Sequence, residues 1–105
     1  MRKGLSIAGA LCVLAVSATA CVERPASDAT GGQIYAQVCA RCHGADLGGG
    51  VGPALDDGSD VASQPDSQVR LTIERGSGRM PAFGSTLSAE QIDRVVGFLR
   101  ERQTP

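Results

Sequence analysis

Two cysteines three residues apart, with a histidine directly after the second, limit what this chain can become: Cys39, Cys42 and His43 in VCARCHG. Three chemistries use such a pair: a structural zinc ion, a redox dithiol, and the attachment of a haem. Each demands different partners elsewhere. Zinc needs four ligands, commonly from two separate Cys or His pairs, but His43 is the only histidine and there is no second pair. A thioredoxin-type dithiol follows a strand and opens a helix, and no strand pattern precedes Cys39. A disulfide between the two would close too small a loop to constrain the unfolded chain by much.

C-x-x-C-H is the haem-attachment spacing. Cysteines at i and i+3 of a helical turn face the same way, so their sulfurs can bond two vinyl groups on one porphyrin edge. The adjacent histidine is then carried under the ring, where its imidazole reaches the iron. The strength of this reading depends on a second ligand on the opposite face.

The remaining cysteines belong to the N-terminus, MRKGLSIAGALCVLAVSATAC. Arg2 and Lys3 precede an apolar run from Leu5 to Val16 that contains Cys12, and Ala18, Thr19 and Ala20 precede Cys21. This is the pattern of a secretory signal over residues 1–20. Its apolar stretch is shorter than the about 20 residues a spanning helix wants, which counts against an uncleaved anchor. Small residues before the cut suit an ordinary signal peptidase. Small residues ending in cysteine also resemble the bacterial lipobox, in which Cys21 would receive lipid, although Ala18 stands where that pattern usually has Leu. Both readings cut the same bond. Acyl chains on Cys21 would anchor the protein at about 0.8 kcal/mol per buried CH₂.

Beyond residue 20 the chain keeps 85 residues, with eight arginines, eleven acidic side chains and no lysine, a net charge of −3. Without a basic stripe, nucleic acid is not a partner, and no polybasic patch is present for anionic lipid. Residues 21–30, small and polar with Pro25, read as a flexible tether. That leaves 31–105 as one domain whose only aromatics are Tyr35, Phe83 and Phe98. A domain this small seldom stabilises itself by its apolar core alone, so a buried prosthetic group would supply the missing interior.

Beyond residue 20 there is one methionine, Met80, in GSGRMPAFG. A lone Met is often core filler. Here the neighbouring Gly76, Gly78, Pro81 and Gly84 favour a tight turn, which suits a sulfur held out as an axial ligand.

On these pieces the chain resembles a small bacterial class I c-type cytochrome, from Gly31 to about Leu99. Gly31 and Tyr35 match the first helix, with the aromatic four residues before the first haem cysteine. GGGVGPAL, with Gly52, Pro53 and Leu55, matches the glycine-rich loop after the histidine. Met80, Pro81 and Phe83 match the Met-Pro-x-Phe segment, and LSAEQ matches the opening of the last helix. The resemblance implies an all-α fold, helices packed around one haem c bound covalently through Cys39 and Cys42. It implies His43 and Met80 as axial ligands, and a Pro53 carbonyl that accepts a hydrogen bond from the imidazole. Tyr35, Leu55 and Phe83 would lie about the cofactor.

The helices also follow from the residues. In LSAEQI, Ser88 caps a helix, Gln91 reaches back to it, and Leu87 staples onto Ile92. Ile92, Val95, Val96 and Leu99 form one apolar stripe, opposite Asp93, Arg94, Arg100 and Glu101. The resemblance implies that this helix crosses the first one near Gly31, Tyr35 and Phe98, with Gly97 allowing a close approach. Between the loop and Met80, Val69, Leu71 and Ile73 alternate as in a strand. The resemblance favours a helix there, capped by Asp66 or Ser67 and ending at Gly76. Asp56, Asp57, Asp60 and Asp66 lack the ligand alternation of a calcium loop and read as a solvated loop.

The function implied is an exported monohaem electron carrier and not an enzyme, lipid-anchored or periplasmic. It would take electrons from a quinol-oxidising complex and pass them to an oxidase or reductase. Two other readings stay open: a gas sensor or peroxidase-like protein with Met80 detached from the iron, and an electron-transfer subunit of a larger complex. The missing lysines predict docking by mainly apolar contact at the exposed haem edge.

Overall fold

The computed structural model describes residues 23–104, together with Gly4 and Gly9. The rest of residues 1–22, Cys21 included, lies outside the described residues, and with it the expectations of an export signal, its cleavage and lipidation.

The fold begins with a capped helix. Thr30 takes the N-cap, its Oγ1 accepting from Gln33 N at 3.1 Å while Gln33 Oε1 accepts from Thr30 N at 2.9 Å. This reciprocal pair satisfies two amides that would otherwise lack partners. The helix then continues through three contiguous pieces: α1 (Gly31–Ile34), a π-helical turn (Tyr35–Cys39) and α2 (Ala40–His43). Ala40 N donates to Tyr35 O, five residues back, so one residue more than an α-helix accommodates is lodged just ahead of the cysteine pair.

A short 3₁₀ turn (Asp60–Ser63) leads to α3 (Asp66–Arg75), and α4 (Ala89–Gln103) closes the chain. The alternation of Val69, Leu71 and Ile73 is not a strand. Val69 and Ile73 are four apart and both buried on one helical face, while Leu71 lies half-buried on the flank. Pro65 holds the N-cap position of α3 with no side-chain cap, so neither Asp66 nor Ser67 serves there. Gly76, at φ 76°, ends the helix as the sequence predicts.

Helix α4 keeps its predicted start. Ser88 Oγ accepts from Gln91 N at 3.1 Å, and Gln91 Oε1 accepts from Ser88 N at 2.8 Å. Leu87, Ile92, Val95, Val96 and Leu99 are all buried in one cluster with Ile34, Tyr35 and Val38. The crossing of the first helix over α4 depends on Gly31. A Cβ there would overlap the carbonyl oxygen of Arg94 and sit 3.0 Å from Phe98 Cβ. Gly97 plays no part in this approach, because it is exposed and nothing lies within 4 Å of where its Cβ would be. Beside the crossing, Tyr35 and Phe98 stack at 5.3 Å between ring centroids, with Arg102 over the outer face of Phe98.

The segment expected to be a free tether is strapped to the domain. Gln37 Nε2 donates to Glu23 O at 2.7 Å, and Gln91 Nε2 donates to Ala26 O at 3.2 Å. Arg94 donates to Ser27 O at 2.9 Å and to Ala29 O. Pro25 and Ala29 are buried beneath these bonds. Composition alone reads such residues as unattached because their partners, side chains of the π turn and of α4, are remote in sequence.

At the other end of α4, Arg100 gathers the loop before α3. Its guanidinium donates to the carbonyls of Val61 and Gln64, to Gln103 Oε1 at 2.7 Å, and to Asp66 Oδ1 at 2.7 Å. Gln103 in turn donates from Nε2 to Leu55 O at 2.8 Å.

Candidate haem site

A helix leaves its last carbonyls without amide partners. In α2 these carbonyls are taken up by the glycine-rich loop: Gly44 N donates to Ala40 O, Gly52 N to Cys42 O, and Gly49 N to His43 O, each at 2.8 Å. Gly44 and Gly49 do this at φ 86° and 91°, conformations that favour glycine. Leu47 also has positive φ, 65°, although it is a buried leucine. Its strain is held by Leu47 N donating to Gly44 O at 3.2 Å and by Leu55 N donating to Leu47 O at 2.8 Å.

The loop thereby delivers Pro53 to the histidine. His43 is buried, and its Nδ1 lies 2.8 Å from Pro53 O. A carbonyl only accepts, so Nδ1 carries the proton and Nε2 keeps the ring's lone pair. Nε2 has no hydrogen-bond partner among the described residues, and no buried side-chain nitrogen or oxygen among them lacks one. The chain therefore does not take up this lone pair. Gly52 makes this arrangement possible, because a Cβ would stand 3.0 Å from His43 Cε1 and 3.1 Å from Nδ1.

Cys39 and Cys42 are free thiols, both half-buried. Burial first, and the Cys42 charge second, push the Cys39 thiol up to about 11. A redox dithiol works as a thiolate of lowered pKa, and Cys39 is the opposite case.

Met80 is presented by a two-residue turn. Ser77 N donates to Met80 O at 3.1 Å and Met80 N to Ser77 O at 2.9 Å, with Gly78 at φ 55° between them. The returning chain covers the end of α3, as the glycine loop covers α2: Phe83 N donates to Ile73 O at 2.9 Å and Gly84 N to Glu74 O at 3.0 Å. Gly76 sits where a Cβ would come 2.6 Å from Met80 O. Cys39, Met80 and Phe83 all lie half-buried at the margin of the same core cluster.

Two other expected site residues have visible structural tasks. Tyr35 is buried in the helix crossing and its hydroxyl donates to Gly44 O at 2.7 Å, tying the π turn to the loop. Leu55 is buried and offers its carbonyl to Gln103. Nothing in the sequence marks the bonds that Gln103 and Arg100 make, since their partners lie 34 or more residues away apart from each other. A cleft of about 480 Å³ opens beside Pro53 and Ala54, reaching Val61 and Gln64.

The donor set suits a covalently held haem: two thiols at i and i+3, an imidazole fixed with one nitrogen free, and a thioether on a tied turn. Comparison with known proteins agrees. Residues 26–99 match the family described as cytochrome c oxidase, cbb3-type, subunit III. Cytochrome c55X of Stutzerimonas stutzeri is 33% identical over 103 residues, covering 95% of this chain and 88% of the relative. A nicotinate dehydrogenase subunit of Pseudomonas putida is 31% identical, covering 92% of this chain, and the cbb3-type oxidase subunit FixP of Azorhizobium caulinodans is 37% identical, covering 69%. The chain spans only 9% and 28% of the length of those two. Among solved structures, the c-type cytochrome NirC is similar with a TM-score of 0.60 and 32% identity, covering 68% of this chain and 85% of that one. The chain thus belongs to the cbb3-type subunit III family of c-type cytochromes, all-α electron carriers of class I fold, and its covalent haem c is held through Cys39 and Cys42.

Proposed function

We propose that the protein is a monohaem electron carrier on the outer face of the cytoplasmic membrane, with His43 and Met80 as axial ligands. The observation that carries this is the 2.8 Å contact between His43 Nδ1 and Pro53 O, which leaves Nε2 alone to meet a metal. Haem c, when bound, supplies an iron that gains and loses one electron. The residues of the chain do the rest. Pro53 fixes the imidazole's tautomer and ring orientation. The Ser77–Met80 turn restricts where the thioether can go. With both side chains on the iron no coordination position would stay open, and His43, the only histidine, would not be free to act as acid or base.

A Met/His pair favours a relatively high potential, which suits a carrier that accepts from a quinol-oxidising complex and donates to an oxidase or reductase. A midpoint potential well below that of the quinone pool would remove this assignment. Similarity to parts of a dehydrogenase subunit and of an oxidase subunit supports a related use, as the electron-transfer subunit of a larger complex. Copurification decides between the two.

Residues 1–20 carry the pattern of an export signal, and Cys21 is the acceptor for lipid. Among the described residues no helix is long and apolar enough to cross a membrane; the acyl anchor is proposed from the small residues that end in Cys21. The mass of the mature protein reports cleavage, haem and lipid together. With Lys3 the only lysine, and with Val51 on the loop beside His43 exposed at 85%, docking is mainly apolar. Electron-transfer rates should tolerate salt, and a steep fall with ionic strength would contradict this.

The ligand pair is tested by the ferric spectrum. Methionine ligation gives a weak long-wavelength band that Met80→Ala abolishes. Its absence from the native protein would instead indicate an open iron, as in a gas sensor or peroxidase-like protein.

A further inference from the structure

We propose that residues 23–30 act as a strap that seats the domain on a lipid surface in one orientation, with the π turn and the first turn of α4 toward the bilayer and the Pro53–Leu55 loop away from it. This rests on the acylation of Cys21 proposed above. Only Val22 separates Cys21 from Glu23, so the chain from one to the other spans at most about 7 Å. Slack would have to come from residues 23–30, and these are tied down at four places. Glu23 O is held by Gln37, Ala26 O by Gln91, and Ser27 O and Ala29 O by Arg94. Pro25 and Ala29 are buried under the strap, which also walls a hollow of about 360 Å³ with Thr86, Leu87 and Ser88.

The reach of an acyl chain on Cys21 is therefore set from Glu23, which Gln37 holds, and from the strap that Gln91 holds at the start of α4. Helix α4 then acts as a ruler. Gln91 touches the strap, whereas Gln103, twelve residues further on, bonds Leu55 O. At 1.5 Å per residue the loop that carries Pro53 lies about 18 Å along the helix from the strap. The imidazole end of the site faces a partner's extracytoplasmic surface, and the strap end faces lipid. The strap's side chains, Glu23, Arg24 and Asp28, are exposed and of both signs, so the face needs no charged lipid and the acyl chains supply the affinity.

The test uses the mature, haem-loaded, full-length protein in vesicles of phosphatidylethanolamine and phosphatidylglycerol containing a headgroup-linked quencher. Single dyes are placed through Glu90→Cys, beside the strap, and Thr104→Cys, just past the far end of α4. The result expected is loss of most emission at position 90 and retention at position 104. A flexible Gly-Ser insert after Val22, which touches no bond of the fold, should abolish the difference. Equal quenching at both positions with acyl mass present on Cys21, or an insert without effect, overturns the inference and leaves the lipidation reading intact. Absence of acyl mass on Cys21 overturns both, and the mass spectrum distinguishes that outcome from the first.

Discussion

His43 Nδ1 and the carbonyl oxygen of Pro53 stand 2.8 Å apart, and Gly52, by lacking a Cβ, leaves room for the bond between them. Gly52→Ala places a methyl 3.0 Å from His43 Cε1 and 3.3 Å from Cys42 O, so the ring or the loop must give. A stability loss of about 1–3 kcal/mol is expected in urea unfolding, together with a shift in midpoint potential because the imidazole leaves its acceptor. An unchanged potential would show that the clamp does not tune the iron.

The helix crossing gives a paired prediction. Gly31→Ala drives a methyl into the Arg94 backbone, and backbone cannot swing aside as a side chain can. A loss at the upper end of about 1–3 kcal/mol, or failure to fold, is expected. Gly97→Ala, in open space inside the same helix α4, should gain up to about 1 kcal/mol from propensity. Comparing the urea midpoints of both variants tests the assignment of the crossing to Gly31.

Tyr35 makes stability depend on alkaline pH. Its phenol is pushed up from 10.0 to about 12, first by burial and then by the negative charges of Cys39 and Asp46. Burial remains when Cys39 is a thioether. A raised folded-state value means that the stabilisation is complete below pH 10 and is lost as pH rises toward 12. Tyr35→Phe should cost about 1 kcal/mol at neutral pH through the lost bond to Gly44 O. The gap between wild type and variant should close in the alkaline window, read by unfolding at stepped pH.

Two arginines with carboxylate partners should behave differently. Arg70 pairs with Asp93 at 2.6 Å with both largely exposed, so Arg70→Ala should cost less than about 1 kcal/mol and little at high salt. Arg100→Ala strands the part-buried carbonyls of Val61 and Gln64 as well as Asp66. About 1–3 kcal/mol is expected, mostly insensitive to salt because carbonyls, not charges, are orphaned.

Where local chemistry decides structure, the sequence is legible. Ser88 and Gln91 form their capping box from four adjacent residues, and the stripe from Ile92 to Leu99 can bury only one face. The Cys39–His43 spacing likewise declares itself on one helical turn. What eludes reading depends on partners distant along the chain. Gln103 meets Leu55 and Arg94 meets Ala29 across separations of 48 and 65 residues, which no periodicity signals. In α3, Leu71 between two buried residues imitates a strand until the packing against α4 selects Val69 and Ile73. Gly31 and Gly97 are indistinguishable as letters, and only the geometry of the crossing separates them.

The π turn at Tyr35–Cys39 sets the phase between two faces of one rod: the face that meets α4 and the face that displays the thiols. Each residue of an α-helix advances the azimuth by about 100°. Excising one residue from this turn would leave both halves regular and yet rotate the cysteines and the histidine away from their loop. A helix made straighter in this way would be a poorer mount for its cofactor.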